Sequence, residues 1–448
     1  MPSILSEIRK NYSRVFRRIF VKRRDASSGL FESTWQDISI DVKNWGKIRR
    51  EIDGVKYSKV KFSDVMVKMN NFSGRYNPND DEASFWFGFA KQQRTLVKIE
   101  AGFIHQTLSS SGIYTNTEYP TTSSIFYGIL SGDIFVSDDN DITLPIKPLT
   151  QIFRDFPAKN LVGFTSTGLT ASQFVNILRD QTDGAGSFIF RPFLGDTTTF
   201  WDVTSTSNVY SNLNTSTAAD VFKSDVWTIV EKLSESEDMV AFVKNSGILR
   251  FGDRTPATTA SQFHFFGAGF RDNEYGHTIK KVNSFGKKHT DFYSRVEVKW
   301  VDSNTATAVR VKETAFTVTG SNDAWILGHR TFRFENFWIP TTTVADTILN
   351  NIYNNTTNVK DKLDFVSTFV PHLEILDRIR VSYDHSALTP TSRWDINDWA
   401  FDNTNLSTDL IWDQVSGDSI RLSNREFKIL SIDLDLDKFE TKINAIST

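Results

Sequence analysis

The closing stretch "REFKILSIDLDLDKFETKINAI", residues 425–446, sets the tightest limit on what this chain can fold into. Ile432, Leu434 and Leu436 alternate there with Asp433, Asp435 and Asp437. Only an extended backbone sends every second side chain to one face, so the segment reads as a strand with one apolar side. The three carboxylates then share the other side, which is expected to face solvent. The same texture begins near residue 30. "VKYSKVKFSDVMVKM" at 55–69 puts Val65, Val67 and Met69 on one parity. "RTLVKIEAGF" and "SIFYGILSGDIFVSDDNDITLPI" follow, broken by Gly and Asp-Asn about every 8–12 residues, which is the spacing of a barrel or sandwich. Further on, Val296, Val298 and Trp300 alternate against Arg295, Glu297 and Lys299, and Phe332 and Phe334 repeat the pattern.

Helical spacing enters between about 150 and 290. "PLTQIFRDF" and "TASQFVNILRDQ" carry it, the second with Thr170 or Ser172 as its cap. In "SDVWTIVEKLSESEDMVAFVKNSGILRFGDR", residues 224–254, Ser224 or Asp225 caps a helix whose stripe is Val226, Ile229, Val230 and Leu233. A hairpin follows, turning at Asn245-Ser246-Gly247. A later helix, "TTTVADTILNNIYNN", places Val344, Ile348, Ile352 and Tyr353 on one side. At 448 residues with 37 Phe, the chain has material for several packed cores and exceeds what one core usually holds.

The one charge-biased segment is "SILSEIRKNYSRVFRRIFVKRR" at 3–24. Ile4, Ile8, Tyr12, Val15, Phe16, Ile19 and Phe20 recur at three- and four-residue spacing, and arginines and lysines fill the remainder. This predicts a basic amphipathic helical arm. An arm that packs or docks on a neighbouring subunit is favoured over contact with anionic lipid or DNA. Phe16, Arg17, Ile19 and Phe20 are the candidate subunit contacts. Deleting residues 1–24 is expected to block assembly and leave the rest folded.

Chemistry is hard to find. The absence of cysteine excludes disulfides, thiolate metal sites and Cys nucleophiles. No histidine pair stands at i, i+4, and no nucleophile-elbow or phosphate-loop motif occurs. "DDNDI" at 138–142 lacks the ligand spacing of a calcium loop, and "FGAGFRDNEYG" lacks the third glycine of a dinucleotide fingerprint. No metal, cofactor or catalytic residue is assigned, and a non-enzymatic structural or binding protein is expected. Trp394, Trp399 and Trp412, set among aspartates, form a candidate glycan-stacking platform, against which stands the favoured reading of tryptophans plugging a core. A net charge of −3 gives no overall pull toward nucleic acid. No apolar run is long enough to span a membrane and no secretory signal is recognised, so lysis or a particle is the expected route out of a cell.

Several segments, in order, resemble tail proteins of tailed bacteriophages. They are "IFYGILSGD", "VWTIVEKLSESEDMVAFVKNSGILRFGDR", "DFYSRVEVKWVD", "FENFWIPTTTVADTILNNIYNN", "HLEILDRIRVSYDH", and "RWDINDWAFD" followed by "FKILSIDLDLDKFETKINAI". Each is degenerate, and their order over residues 30–448 carries the likeness to the tail hub, or baseplate hub, family. "LEILDRI" departs from the family in lacking a glycine before Asp377, and the basic arm is foreign to it. The resemblance implies a mainly β fold with α+β insertions: two related β-barrel domains plus two smaller α/β domains. The expected divisions are an arm at 1–27, a first barrel at 28–150, an inserted α+β region at 151–290, and a second barrel at 291–448 with a helix near 341–355. It further implies a virion protein of the tail tip, made in the host cytoplasm. Expected partners are itself as a trimer, a distal tail or tail tube protein, a fibre or spike protein and a tape measure protein, with DNA only in transit. A distal tail or receptor-binding protein that recognises host carbohydrate is the alternative.

Overall fold

The computed structural model describes residues 14–448 except 54–58, 78–81, 83, 90–94, 109–113, 119–122, 159–167, 183–185, 195–200, 211–223, 255–260, 268–277, 288–290, 302–306, 315–327, 358 and 385–419. Trp394, Trp399 and Trp412 lie outside the described residues.

The chain opens with β1 (Arg14–Lys22), β2 (Gln36–Asp37) and β3 (Val42–Asn44). A hairpin of β4 (Lys47–Ile52) and β5 (Val60–Phe62) follows, then β6 (Val65–Asn70). Next come β7 (Leu96–Leu108), β8 (Tyr114–Glu118), β9 (Ser123–Leu130) and β10 (Asp141–Pro148). The middle holds α1 (Thr150–Arg154), β11 (Leu169–Thr170), α2 (Ala171–Arg179), α3 (Arg191–Leu194), β12 (Trp201–Val203) and β13 (Val209–Tyr210). After them stand α4 (Val226–Ser236), β14 (Met239–Val243) and β15 (Leu249–Asp253). The last part runs through β16 (Phe263–Phe266), β17 (Ile279–Lys287), β18 (Arg295–Val301), β19 (Thr307–Glu313) and β20 (Thr331–Glu335). It closes with α5 (Thr342–Thr356), β21 (Asp361–Thr368), β22 (Arg378–Asp384), β23 (Arg421–Asp435) and β24 (Glu440–Ser447).

Two eight-stranded sheets form the body, where two barrels are expected. The first has the order β2-β1-β7-β9-β10-β6-β3, with β8 on β7. The second has the order β16-β22-β23-β24-β21-β17, with the β4–β5 hairpin attached to β23. Among the described residues neither order closes on itself, so each is a half-barrel. Their apolar faces make one continuous core: Ile19, Val67, Ile99 and Leu144 of the first sheet lie in the same cluster as Phe265, Phe365, Phe427 and Ile443 of the second. The alternation read in 65–69 is realised, with Val65, Val67 and Met69 buried and Met66 exposed.

Two α/β modules stand apart from this core. In the first, α1, α2 and α4 pack with β14 and β15 around Phe153, Phe174, Trp227 and Phe251. Thr170 caps α2 in a full capping box with Gln173, and Asp225 caps α4. In the second, α5 covers one face of the β19-β18-β20 sheet through Val344, Ile348 and Ile352 against Val298, Trp300 and Phe334. The predicted stripes of α4 and α5 are therefore the buried ones.

Three expected boundaries shift. The arm is not helical over Arg14–Lys22: these residues are a strand, paired antiparallel with β7 from Arg14 opposite Ile104 to Lys22 opposite Leu96. "VFRRIFV" meets helical and strand spacing alike, but its β-branched and aromatic residues favour a pleated surface once a partner strand supplies one. Residues 1–13 are outside the description. Second, β4 and β5 lie within 28–150 yet belong to the second sheet, as do β16 and β17 from within 151–290. Third, 295–356 within the expected second barrel is the separate α5 module.

Because Ile19 and Val21 have no exposed surface, β1 is part of the first core. Ile19→Ala is expected to destabilise the chain by about 2–5 kcal/mol, read from chemical denaturation. Removing residues 1–24 is expected to open the first sheet to protease, in place of a folded remainder.

Candidate functional site

No group of three or more potential His, Asp or Glu metal ligands is gathered among the described residues. No described helix is long and apolar enough to cross a membrane. An open cleft of roughly 440 Å³ lies between β4–β5 and β21, β23 and β24. Glu51, Asp53, Lys59, Lys61, Lys362 and Asn444 line it. Its charges are mixed, and Glu51 is already paired with Arg49 at 2.9 Å.

The aspartate-rich stretches are structural. Asp141 of "DDNDI" is buried, and its carboxylate pairs with Lys43 and, at 2.9 Å, with Lys68, whose hydrogen bonds hold it below the ordinary range. In "DLDLD" the expected solvent face is corrected at two positions. Asp435 is buried, accepts the N–H groups of Asp437 and Lys438, and pairs with Lys47 at 3.1 Å. Asp437 accepts the N–H groups of Trp45 and Gly46 at 3.1–3.2 Å, so a turn of the second sheet caps the β3–β4 connection.

Arg17 joins this cap from the first sheet. Its guanidinium lies 4.8 Å from the Trp45 ring and 4.6 Å from the Phe439 ring, with Nη1 3.6 Å from Asp437 Oδ1. A cation over two aromatic faces beside a carboxylate ties the two sheets together. Of the other candidate contacts in β1, Ile19 is buried in this chain's own core. Phe16 and Phe20 are half-buried on the opposite side of the strand. Phe20 lies 4.9 Å from Lys98 Nζ, and a side chain at Gly102 would strike Phe16 at 2.8 Å. Beside this strand, β2 pairs only with Phe20 and Val21.

A second polar seam is formed where the hairpin of the first module meets both sheets. Gly247 turns with φ +81°, and a Cβ there would strike Tyr127 of β9 at 2.7 Å, so only glycine fits. Asn245 is buried beside it. Its N–H donates to Glu374 Oε1 at 2.9 Å, and its carbonyl accepts from Ser124 Oγ at 2.8 Å. Arg50 of β4 is fully buried and donates to the Ile125 carbonyl at 2.5 Å, and burial pulls its guanidinium down to about 10. The asparagine-glycine chemistry was legible as a turn. That it is an internal plug is a property of the packing, with no local signal.

Two titratable groups sit beside Glu374. His372 is half-buried with its ring 5.7 Å from Phe263, and both ring nitrogens are shielded from water with no hydrogen-bond partner among the described residues. Burial lowers it from 6.5 to about 4. Asp377 accepts from the Glu374 N–H at 2.8 Å, yet burial, reinforced by the Glu374 charge, raises it from 3.8 to about 7 despite Arg250. These shifts tilt stability in opposite directions. Between about pH 4 and 6.5 the unfolded chain binds more protons at His372, so that group makes stability rise with pH. Between about pH 4 and 7 the folded chain binds more at Asp377, so stability falls with pH. Relative to wild type, His372→Phe should make the stability-against-pH slope more negative in that window, and Asp377→Asn more positive. Denaturant titrations at stepped pH measure both, and unchanged slopes would contradict the burial of these groups.

The largest exposed apolar side chains are Ile40 (90% exposed), Phe72 (85%) and Phe135 (74%). Ile40 lies in a short 3-10 helix before β3, Phe72 in the turn after β6, and Phe135 in the connection between β9 and β10. The sequence reading missed all three, because exposure of a lone apolar side chain outside a regular strand or long helix leaves no periodic signal.

No family model matches the chain, and no curated protein matches it in sequence. Solved structures do align with it. The 43 kDa tail protein of prophage MuSo2 from Shewanella oneidensis is similar over 96% of this chain and 98% of its own, at 11% identity and a TM-score of 0.46. Prophage tail protein gp18 from Listeria monocytogenes covers 96% of this chain and 94% of its own, at 10% identity and a TM-score of 0.44. A chain of the phage P2 baseplate in its activated conformation covers 96% and 99%, at 9% identity and a TM-score of 0.30. These three are phage tail or baseplate proteins.

Proposed function

We propose that the chain is a structural, non-enzymatic hub of a phage tail tip or baseplate. In this reading it self-associates as a trimer, joins the tail tube to a fibre or spike, and gates the passage of DNA. One observation carries the reading. The polar groups at 17, 45, 50, 245, 374 and 437, buried or half-buried, connect sheets and modules to one another. Such a design holds a shape. The ordered series of hub-like segments in the sequence supports the same reading.

Assembly needs faces that a partner covers. Ile40, Phe72 and Phe135 are large apolar groups in contact with water, which costs solubility unless a neighbour buries them. The outward side of β1, with Phe16 and Phe20, lies beyond the short β2 and is assigned to a subunit contact. Ile19 is left out of that contact because the core holds it.

Light scattering on the purified chain is expected to give three times its 51.0 kDa mass. Immunogold against the protein should label one end of the tail in particles. Phe72→Ser with Phe135→Ser should weaken self-association and leave the melting temperature nearly unchanged. A monomer at all concentrations, in a protein absent from particles, would overturn the hub.

A further inference from the structure

The connection between β9 and β10 forms an acidic knob with an apolar tip. Ile134 anchors it, and Asp141 closes it, buried against Lys43 and Lys68. The backbone between them is fixed by its own turn. The Asn140 N–H donates to the Ser137 carbonyl at 2.9 Å, and the Ser137 N–H to the Asp141 carbonyl at 2.8 Å. Held in this way, Phe135 is 74% exposed and Val136 is exposed beside it. Asp133, Asp138 and Asp139 are exposed too, with no hydrogen-bond or ion-pair partner among the described residues. Lys68, which Asp139 also feels, is already paired with Asp141 at 2.9 Å.

The open cleft on the second sheet carries unmatched charge of the opposite sign. Lys59, Lys61 and Lys362 line it, with Ile52 and Leu430 as its apolar part. Its two acids are Glu51 and Asp53. Glu51 stands opposite Lys61 in the register but pairs with Arg49, from outside the cleft, at 2.9 Å. Lys59 reaches Glu235 at 3.6 Å. Lys362 stands between Gly286 and Ile446, which offer it no charge. Lys61 and Lys362 thus have no hydrogen-bond or ion-pair partner among the described residues. The cleft is matched to the knob in kind: unpaired ammoniums for its carboxylates, and apolar surface for Phe135.

A copy's own knob does not reach its own cleft, because the two lie beyond opposite ends of β6. Asn70 faces Asp141 at the knob, and Val65 follows the β4–β5 hairpin after two residues. The strand between them spans about 17 Å. We propose that the knob at 133–140 of one copy seats in the lysine cleft of the next. The inference rests on the hub reading and names surfaces through which its copies would join. Knob and cleft are different patches, so the contact is heterologous, and its repetition about an axis closes a ring.

The test is sedimentation of the full chain over a range of concentrations. Lys61→Glu with Lys362→Glu, and separately Asp138→Lys with Asp139→Lys, should each weaken self-association at least about tenfold, since like charges would meet. Melting temperatures near that of the wild type would show that both variants fold. Combining all four substitutions in one chain restores opposite signs across the contact and should recover association. Wild-type association in either double variant, or a fourfold variant that stays dissociated, would overturn this contact and leave the hub standing. A wild type that is monomeric at every concentration would overturn both.

Discussion

The two half-barrels share a single interior, and the rest of the molecule is arranged around that constraint. A sheet with one apolar face has to bury it against something. Here Ile19, Ile99 and Leu144 on one sheet find Phe265, Phe365 and Phe427 on the other. Neither sheet can keep its core dry without its counterpart. The β4–β5 hairpin makes the dependence covalent, because it leaves the first sheet after β3, pairs with β23, and returns as β6. Arg17 and Asp437 close the remaining gap. Leaving the Asp437 carboxylate unpaired there would be costly, but it accepts the Trp45 and Gly46 N–H groups and lies beside a guanidinium.

The first module docks on this frame through apolar contacts, Val240 and Phe242 lying with Ile52, Val60, Leu430 and Ile446, and through polar contacts that fix its orientation. A buried asparagine that bonds to Glu374 through its N–H and to Ser124 through its carbonyl accepts one orientation only. Such contacts add little net stability, since each replaces a bond to water. They select geometry. Gly247 against Tyr127 does the same by shape, since any larger residue would lift the hairpin off β9. Together these contacts hold the module and the two sheets in fixed relation.

Much of this could be read from local pattern. The stripe of α4, the capping pair Thr170 and Gln173, and the alternation of Val296, Val298 and Trp300 are short-range consequences of backbone geometry. What failed was anything decided by partners distant in sequence. "VFRRIFV" meets two periodicities, and only β7, some eighty residues on, makes it a strand. Asp435 and Asp437 look solvated because Lys47, which pairs with the first, and Arg17, Trp45 and Gly46, which meet the second, are distant in sequence. The candidate contacts followed from the helical reading, so Ile19 fell with it.

The crossing hairpin has a consequence for how the molecule comes into being. Glu51 lies opposite Ser431, roughly 380 residues later, so β4 cannot find its place until almost the whole polypeptide has left the ribosome. At ordinary elongation rates that is a wait of some tens of seconds. Throughout it, Ile48 and Ile52 would sit on a strand with a bare edge, the state in which sheet proteins stick to one another. Synthesis of this chain therefore places an early demand on chaperones, and its yield depends on how soon the carboxyl-terminal strands arrive to cover what the amino-terminal ones have left open.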